Sequence, residues 1–98
     1  MDIKYIHNEI SFIWDKEKAQ KNISKHDGIS FEQATDVFFD PFLKVVDASR
    51  NNEARDAVIG MDKNWNVLYV VHIQIIDDEI VIISARKATN KERKNYEN

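Results

Sequence analysis

Ile82-Ile83-Ser84-Ala85-Arg86-Lys87-Ala88-Thr89-Asn90-Lys91-Glu92-Arg93-Lys94-Asn95-Tyr96 joins three elements in fifteen residues. An apolar strand runs out into an arginine, a short loop follows, and a basic helix begins. Thr89 and Glu92 have the spacing of a capping box, which predicts a helix start at that point. Arg86 is thereby placed at a strand end, with Lys87, Lys91, Arg93 and Lys94 close by. Backbone N–H groups at a helix N-terminus and cationic side chains converge at such a junction, and together they favour an anion.

Upstream of this stretch the pattern is mostly strand. Val67 to Ile76 and Glu79 to Ala85 are nearly continuous apolar runs, as expected of central strands covered on both faces. Leu43 to Asp47 and Arg55 to Met61 read as two more strands. Asp62-Lys63-Asn64 and Asp77-Asp78 read as turns. Connections this short favour an antiparallel meander.

The N-terminal part is different. Ile10 to Trp14 reads as a strand, with a shorter one near Ile3 to Ile6. Asp15 is suited to cap a helix running to about His26. Ala19, Asn22, Ile23 and His26 share one face of that helix. Gly28 suits its end. Ser30 and Gln33 form a second capping-box pair, opening a helix with Phe31, Ala34, Val37 and Phe38 on one side, and Asp40-Pro41 closes it. The expected fold class is α+β: an antiparallel sheet packed with two N-terminal helices and a short C-terminal helix.

Ninety-eight residues predict one domain, residues 1–98, that buries roughly 60–65% of its extended-chain surface. With 43% hydrophobic residues, two glycines and one proline, the composition is that of a folded chain. Cysteine is absent, which excludes thiolate metal sites and cysteine nucleophiles. The segment Met1-Asp2-Ile3-Lys4 has no apolar leader and no run is long enough to span a membrane, so the expected location is the cytoplasm. The formal net charge of −3 runs against a simple nucleic-acid binder. The charges are unevenly distributed, however. Arg86 to Arg93 is locally basic, and the acids gather in Asp36 to Asp40, Asp47 and Asp77 to Glu79.

Each candidate site residue has a structural explanation beside a functional one. Arg86 is either a phosphate-binding arginine or a solvated strand-end side chain. Glu53 and Arg55 project from one face if the strand has begun there. They are a base beside a phosphate clamp, or, as the residues alone favour, a surface ion pair worth ~0–1 kcal/mol. Lys25 and His26 suit the last turn of a helix. A structural histidine is the favoured reading of His26, with proton transfer as the alternative. His72, inside an apolar strand, reads as a core residue. His7, His26 and His72 lack ligand-like spacing, so no metal site is expected. Trp14 and Trp65 read as core or turn-packing residues. With two glycines the chain has no phosphate-binding loop.

Taken in order, these blocks resemble the BrnT family, the toxins of bacterial type II toxin–antitoxin modules. The resemblance rests on Phe12-Ile13-Trp14-Asp15, Lys18-Ala19 and Asn22, then on Lys25-His26, Gly28-Ile29-Ser30-Phe31-Glu32-Gln33-Ala34 and Val37-Phe38-Phe39-Asp40-Pro41. It continues through Glu53-Ala54-Arg55, Gly60, Val70-Val71-His72, Ile82 to Thr89 and Glu92-Arg93. It implies a RelE-like fold and a metal-independent endoribonuclease without cofactor that cleaves RNA and inhibits translation. Arg55 and Arg86 would hold the phosphate, Glu53 or His26 would move protons, and Lys25, Lys87 and Arg93 would bind the RNA backbone. A BrnA-like antitoxin would neutralise the chain in a heterotetramer and link it indirectly to promoter DNA. Members often carry an arginine shortly after the position of His72, where this chain has Ile73-Gln74-Ile75. That departure and the acidic composition favour a second reading, a catalytically weak antitoxin-binding scaffold that modulates promoter binding.

Overall fold

A computed structural model describes residues 1–76 and 78–98. Among these, six strands form one sheet: β1 (Asp2–His7), β2 (Ile10–Asp15), β3 (Lys44–Asp47), β4 (Asp56–Met61), β5 (Val67–Ile76) and β6 (Glu79–Lys87). Their spatial order is β1-β2-β6-β5-β4-β3. All neighbours are antiparallel except β2 and β6, which run parallel over Ser11–Ile13 and Glu79–Val81. The parallel pair departs from the expected all-antiparallel sheet. The chain leaves β2 through the helices, builds the meander from the far edge inward, and returns its last strand to the centre beside β2. The expected turn at Asp77-Asp78 includes Asp77, which lies outside the described residues.

Local chemistry explains the elements. The Asp15 carboxylate accepts from Lys18 N at 3.0 Å and starts helix α1 (Lys16–Lys25). Ser30 Oγ accepts from Gln33 N and starts α2 (Phe31–Thr35), which tightens into a 3-10 turn over Asp36–Phe39. The reciprocal half of that capping box is absent, because Gln33 Nε2 instead donates to Asp62 Oδ2 at 2.7 Å. Thr89 and Glu92 make the complete box and start α3 (Asn90–Glu97). The turns Asn8-Glu9 and Asn51-Asn52 each place two residues at positive φ, the backbone that suits two-residue hairpins. β4 begins at Asp56, one residue after the expected start. β6 continues to Lys87, two residues past its expected end.

The helices α1 and α2 cover one face of the sheet. Phe12, Trp14, Phe31, Ala34, Val37, Leu68, Val70, Ile82 and Ala85 form the core between them. Gly60 lets the 3-10 turn lie directly on β4, because a Cβ there would sit 2.9 Å from Val37 Cβ. His72 is a core residue as expected, 6% exposed and edge-on to Phe38 at 4.9 Å. Burial holds its pKa below the ordinary histidine value, and its Nδ1 meets no partner among the described residues. Ile23, expected on the buried face of α1, is 43% exposed, whereas Asn22, expected on the same face, is buried.

One irregularity decides what β6 presents to each face. Val71 pairs with Ser84, but His72 pairs with Ile82, so Ile83 is an extra residue in β6. Side chains alternate with a period of 2, and one inserted residue exchanges the faces of everything beyond it. Ile80 and Ile82 pack toward the helices before the bulge; Ala85 does so after it. Ser84 and Arg86 therefore turn to the opposite face, where they meet Val71 and Tyr69. Arg86 and His72 consequently project from opposite faces.

Asn22 holds the shifted register. Its Nδ2 donates to Ala85 O at 2.8 Å and to Ile29 O at 3.0 Å, and its Oδ1 accepts from Ala85 N at 3.1 Å. The pairing of β2 with β6 stops at Val81, and at Ala85 the Asn22 side-chain amide takes the place of a neighbouring strand. Asn22→Ala would leave buried backbone groups unpaired, each worth ~1–3 kcal/mol. The expected outcome is a loss of about 2–4 kcal/mol and a melting temperature lower by roughly 10 °C or more, read by thermal denaturation.

Candidate functional site

The face opposite α1 and α2 carries a hollow of ≈ 460 Å³ lined by Ala48, Ser49, Arg50, Arg55, Tyr69, Val71, Ser84 and Arg86. Among the described residues, three arginines and no carboxylate line it. Two devices aim them. The bulge at Ile83 turns Arg86 and Ser84 to this face. The hairpin between β3 and β4 extends past both strands, with Ala48 N donating to Arg55 O at 3.0 Å and Arg50 and Glu53 exchanging backbone bonds of 3.1 and 2.9 Å. That extension brings Arg50 and Arg55 to the hollow.

Arg86 lies across the Tyr69 ring, its Cζ 4.2 Å from the centroid. Its two terminal nitrogens donate to the two Glu92 oxygens at 2.7 and 2.9 Å, a fork matched to a fork. Glu92 also accepts from Thr89 N at 2.8 Å, so one carboxylate both caps α3 and grips Arg86. The hydrogen bonds to Glu92 raise the Arg86 pKa against burial, and those from Arg86 lower the Glu92 pKa against burial. Arg55 Nη2 donates to Glu53 Oε2 at 3.0 Å. Its Nε is buried and has no partner among the described residues. An unpaired donor on a charged group is costly.

The far end of α3 is anchored too. The Tyr96 hydroxyl donates to Asp40 Oδ2 at 2.6 Å, and Lys44 Nζ donates to Asn98 O at 2.9 Å. Burial and the Asp40 carboxylate push the Tyr96 pKa up to about 12. Burial works to raise Asp40, but donors from Tyr96, Phe42 and Met61 outweigh it and leave its pKa lowered.

The structure brings Arg55 and Arg86 to one hollow, with Glu53, 54% exposed, at the rim on Arg55. Lys87 and Arg93 share a neighbouring cleft with Trp65, Asn66 and Asn90. His26 and Lys25 do not line the hollow. His26 is the half-buried C-terminal cap of α1, its N–H on Asn22 O, and Lys25 is exposed beside it. Sequence reasoning did not single out Arg50, Tyr69 or Ser84 as site residues, and saw Glu92 only as a cap. The spacing of Arg86 and Glu92 across a helix start was the one available signal. Trp14 is buried as expected, but Trp65 is not packed at all; it is 82% exposed.

The family model for the ribonuclease toxin BrnT of type II toxin–antitoxin systems matches residues 14–92. The chain belongs to the BrnT family. The match runs from the end of β2 into α3 and includes Arg55, Arg86 and Glu92. A search of curated proteins found no match. Among the described residues of this BrnT toxin, no helix is long and apolar enough to cross a membrane.

The Glu92 grip has a pH signature. A carboxylate with a depressed folded pKa contributes stability above its unfolded value, here 4.5, and that contribution disappears as pH falls through the lower folded value. Acid titration should therefore destabilise the wild type below about pH 4.5 more steeply than Glu92→Gln, as read from denaturant midpoints.

Proposed function

We propose that this BrnT toxin is a metal-independent endoribonuclease of RelE-like type whose arginine hollow receives the scissile phosphate. The observation that carries this reading is the convergence of Arg50, Arg55 and Arg86 on one hollow that no carboxylate lines among the described residues. RNA brings its own nucleophile. Removal of the 2′-hydroxyl proton lets that oxygen attack the adjacent phosphorus, the bond to the 5′-oxygen breaks, and the leaving oxygen takes a proton. The products are a 2′,3′-cyclic phosphate and a 5′-hydroxyl.

In this reading Arg86 and Arg55 hold the non-bridging oxygens and stabilise the charge that builds on them. The phosphate takes the place of Glu53 on Arg55, and the freed Glu53 accepts the 2′-proton. His26 lies away from the hollow and is assigned to the fold, with Lys25 as a backbone contact. Glu92 is a positioning residue that holds the Arg86 guanidinium in place until the phosphate takes over its terminal donors.

The toxin acts in the cytoplasm, cleaves RNA to inhibit translation, and is neutralised by a BrnA-like antitoxin. That antitoxin pairs two toxins in a heterotetramer and carries the contact with promoter DNA. One observation favours the scaffold reading: both Arg55 and Arg86 already hold carboxylates, Arg86 by two bonds. Growth arrest on induced expression, relieved by the antitoxin, separates the two readings.

Arg86→Ala and Arg55→Ala should each remain folded and lose RNA cleavage by about 10²–10³-fold, in line with loss of one charge-stabilising donor. Near-normal cleavage and toxicity of a folded Arg86→Ala protein would overturn the assignment. Antitoxin binding should protect amides around Arg55 and from Ala85 to Tyr96, since covering the basic hollow and α3 is the direct way to block substrate. Hydrogen exchange with and without antitoxin reads this, and unchanged protection in both segments contradicts it.

A further inference from the structure

The hairpin joining β4 to β5 is held tightly yet presents a large apolar side chain to water. Asp62 N donates to Asn66 O at 2.9 Å, and Trp65 N donates to Asp62 O at 3.3 Å. The Asp62 carboxylate accepts from Asn64 N at 2.8 Å, Asn66 N at 2.9 Å, Asn66 Nδ2 at 3.0 Å and Gln33 Nε2 at 2.7 Å. Within this fixed frame Trp65 has φ 67, the left-handed backbone that suits glycine or asparagine. A bulky residue there is strained, and its indole is left 82% exposed. Neither feature helps the isolated chain to fold.

Trp65 borders a cleft of ≈ 190 Å³ whose polar lining, among the described residues, is Asn66, Lys87, Asn90 and Arg93, two cations and two amides. A protein with a net charge of −3 has concentrated positive charge beside its most exposed aromatic face. Aromatic faces flanked by cations are how single-stranded nucleic acid is held without sequence preference: bases stack and phosphates are neutralised. The cleft lies at the end of β6, one residue beyond Arg86. Lys87 follows Arg86 and pairs with Leu68, so it projects from the other face of the sheet, and the strand end alone separates the cleft from the arginine hollow. From Tyr69 back to Trp65 is four residues, about 13 Å along an extended chain.

We propose that Trp65, Lys87 and Arg93 form a flanking-nucleotide subsite for single-stranded RNA. One base stacks on the indole while Lys87 and Arg93 take the adjoining phosphates, and the strand passes round the end of β6 to reach the arginine hollow. The subsite rests on the ribonuclease reading and extends it to how the substrate strand is gripped beyond the scissile phosphate.

The test uses a mixed-sequence single-stranded oligoribonucleotide with 2′-O-methyl groups, which cannot supply the nucleophile and stays intact. Titration into the wild-type toxin should saturably quench the exposed indole, isolated as the difference between wild-type and Trp65→Phe emission. Trp65→Gly, which the left-handed backbone accommodates, should weaken binding by about 5- to 150-fold, the range of one base stack, and Trp65→Phe should retain most of the affinity. Arg93→Ala should reduce the slope of log affinity against log salt by about 0.7, one phosphate contact on a single strand. Wild-type binding that Trp65→Gly leaves unchanged overturns the subsite and leaves the ribonuclease reading intact. A wild-type toxin that does not bind the oligonucleotide overturns both. Loss of antitoxin affinity in Trp65→Gly with oligonucleotide affinity intact makes this a protein-docking surface and overturns the RNA subsite.

Discussion

A single extra residue, Ile83, determines which face of the sheet carries Arg86. Without it, Arg86 would share the face of Ile80 and Ile82 and point its guanidinium into the core beneath α1 and α2. A buried unpaired charge of that kind is not tolerated. With it, Ala85 fills the core and Arg86 lies over Tyr69 on the other face. The bulge is held by Asn22, whose amide pairs with both polar groups of the Ala85 peptide and ties α1 to β6 beside the arginine. The docking of α1, the closure of the core at Ala85 and the exposure of Arg86 therefore depend on one side-chain-to-backbone contact.

The second consequence is electrostatic. Arg86 and Glu92 neutralise each other across the start of α3, so the resting site is quiet despite three arginines. A phosphodiester presents the same kind of planar pair of acceptors as a carboxylate and carries one negative charge. In the proposed function, substrate binding at this site is an exchange of acceptors rather than capture by an empty cation. An exchange of this kind suits a chain with an acidic surface, where long-range attraction for RNA is weak. It also makes α3 part of the site, since its cap and its grip on Arg86 share a carboxylate.

Much of this was legible in the sequence where the signal is local. Thr89 and Glu92 marked the start of α3, Asp15 marked α1, and the spacing of Phe31, Ala34 and Val37 marked the buried side of α2. Arg55 and Arg86 were legible as candidates for one site. The bulge was not, because nothing in Ile82-Ile83-Ser84 says which residue is surplus; only the pairing with Val71 and His72 does. The parallel contact of β2 with β6 is a long-range pairing, and local periodicity carries no trace of it. His26 read as a structural residue in the last turn of α1, and there it is half-buried and caps the helix, on a face where Asn22 rather than Ile23 is buried. Trp65 was misread for a physical reason: aromatic residues are usually packed, and a tryptophan in a left-handed turn is a strained exception.

The most direct test of the central claim is an NMR titration of the arginine side-chain N–H groups with an uncleavable 2′-O-methyl oligoribonucleotide. The account predicts that Arg55 Nε–H and the Arg86 guanidinium shift together and saturate at one common affinity, as the unpaired donor gains an acceptor and Arg86 exchanges Glu92 for phosphate. RNA binding that leaves both side chains unmoved would contradict it.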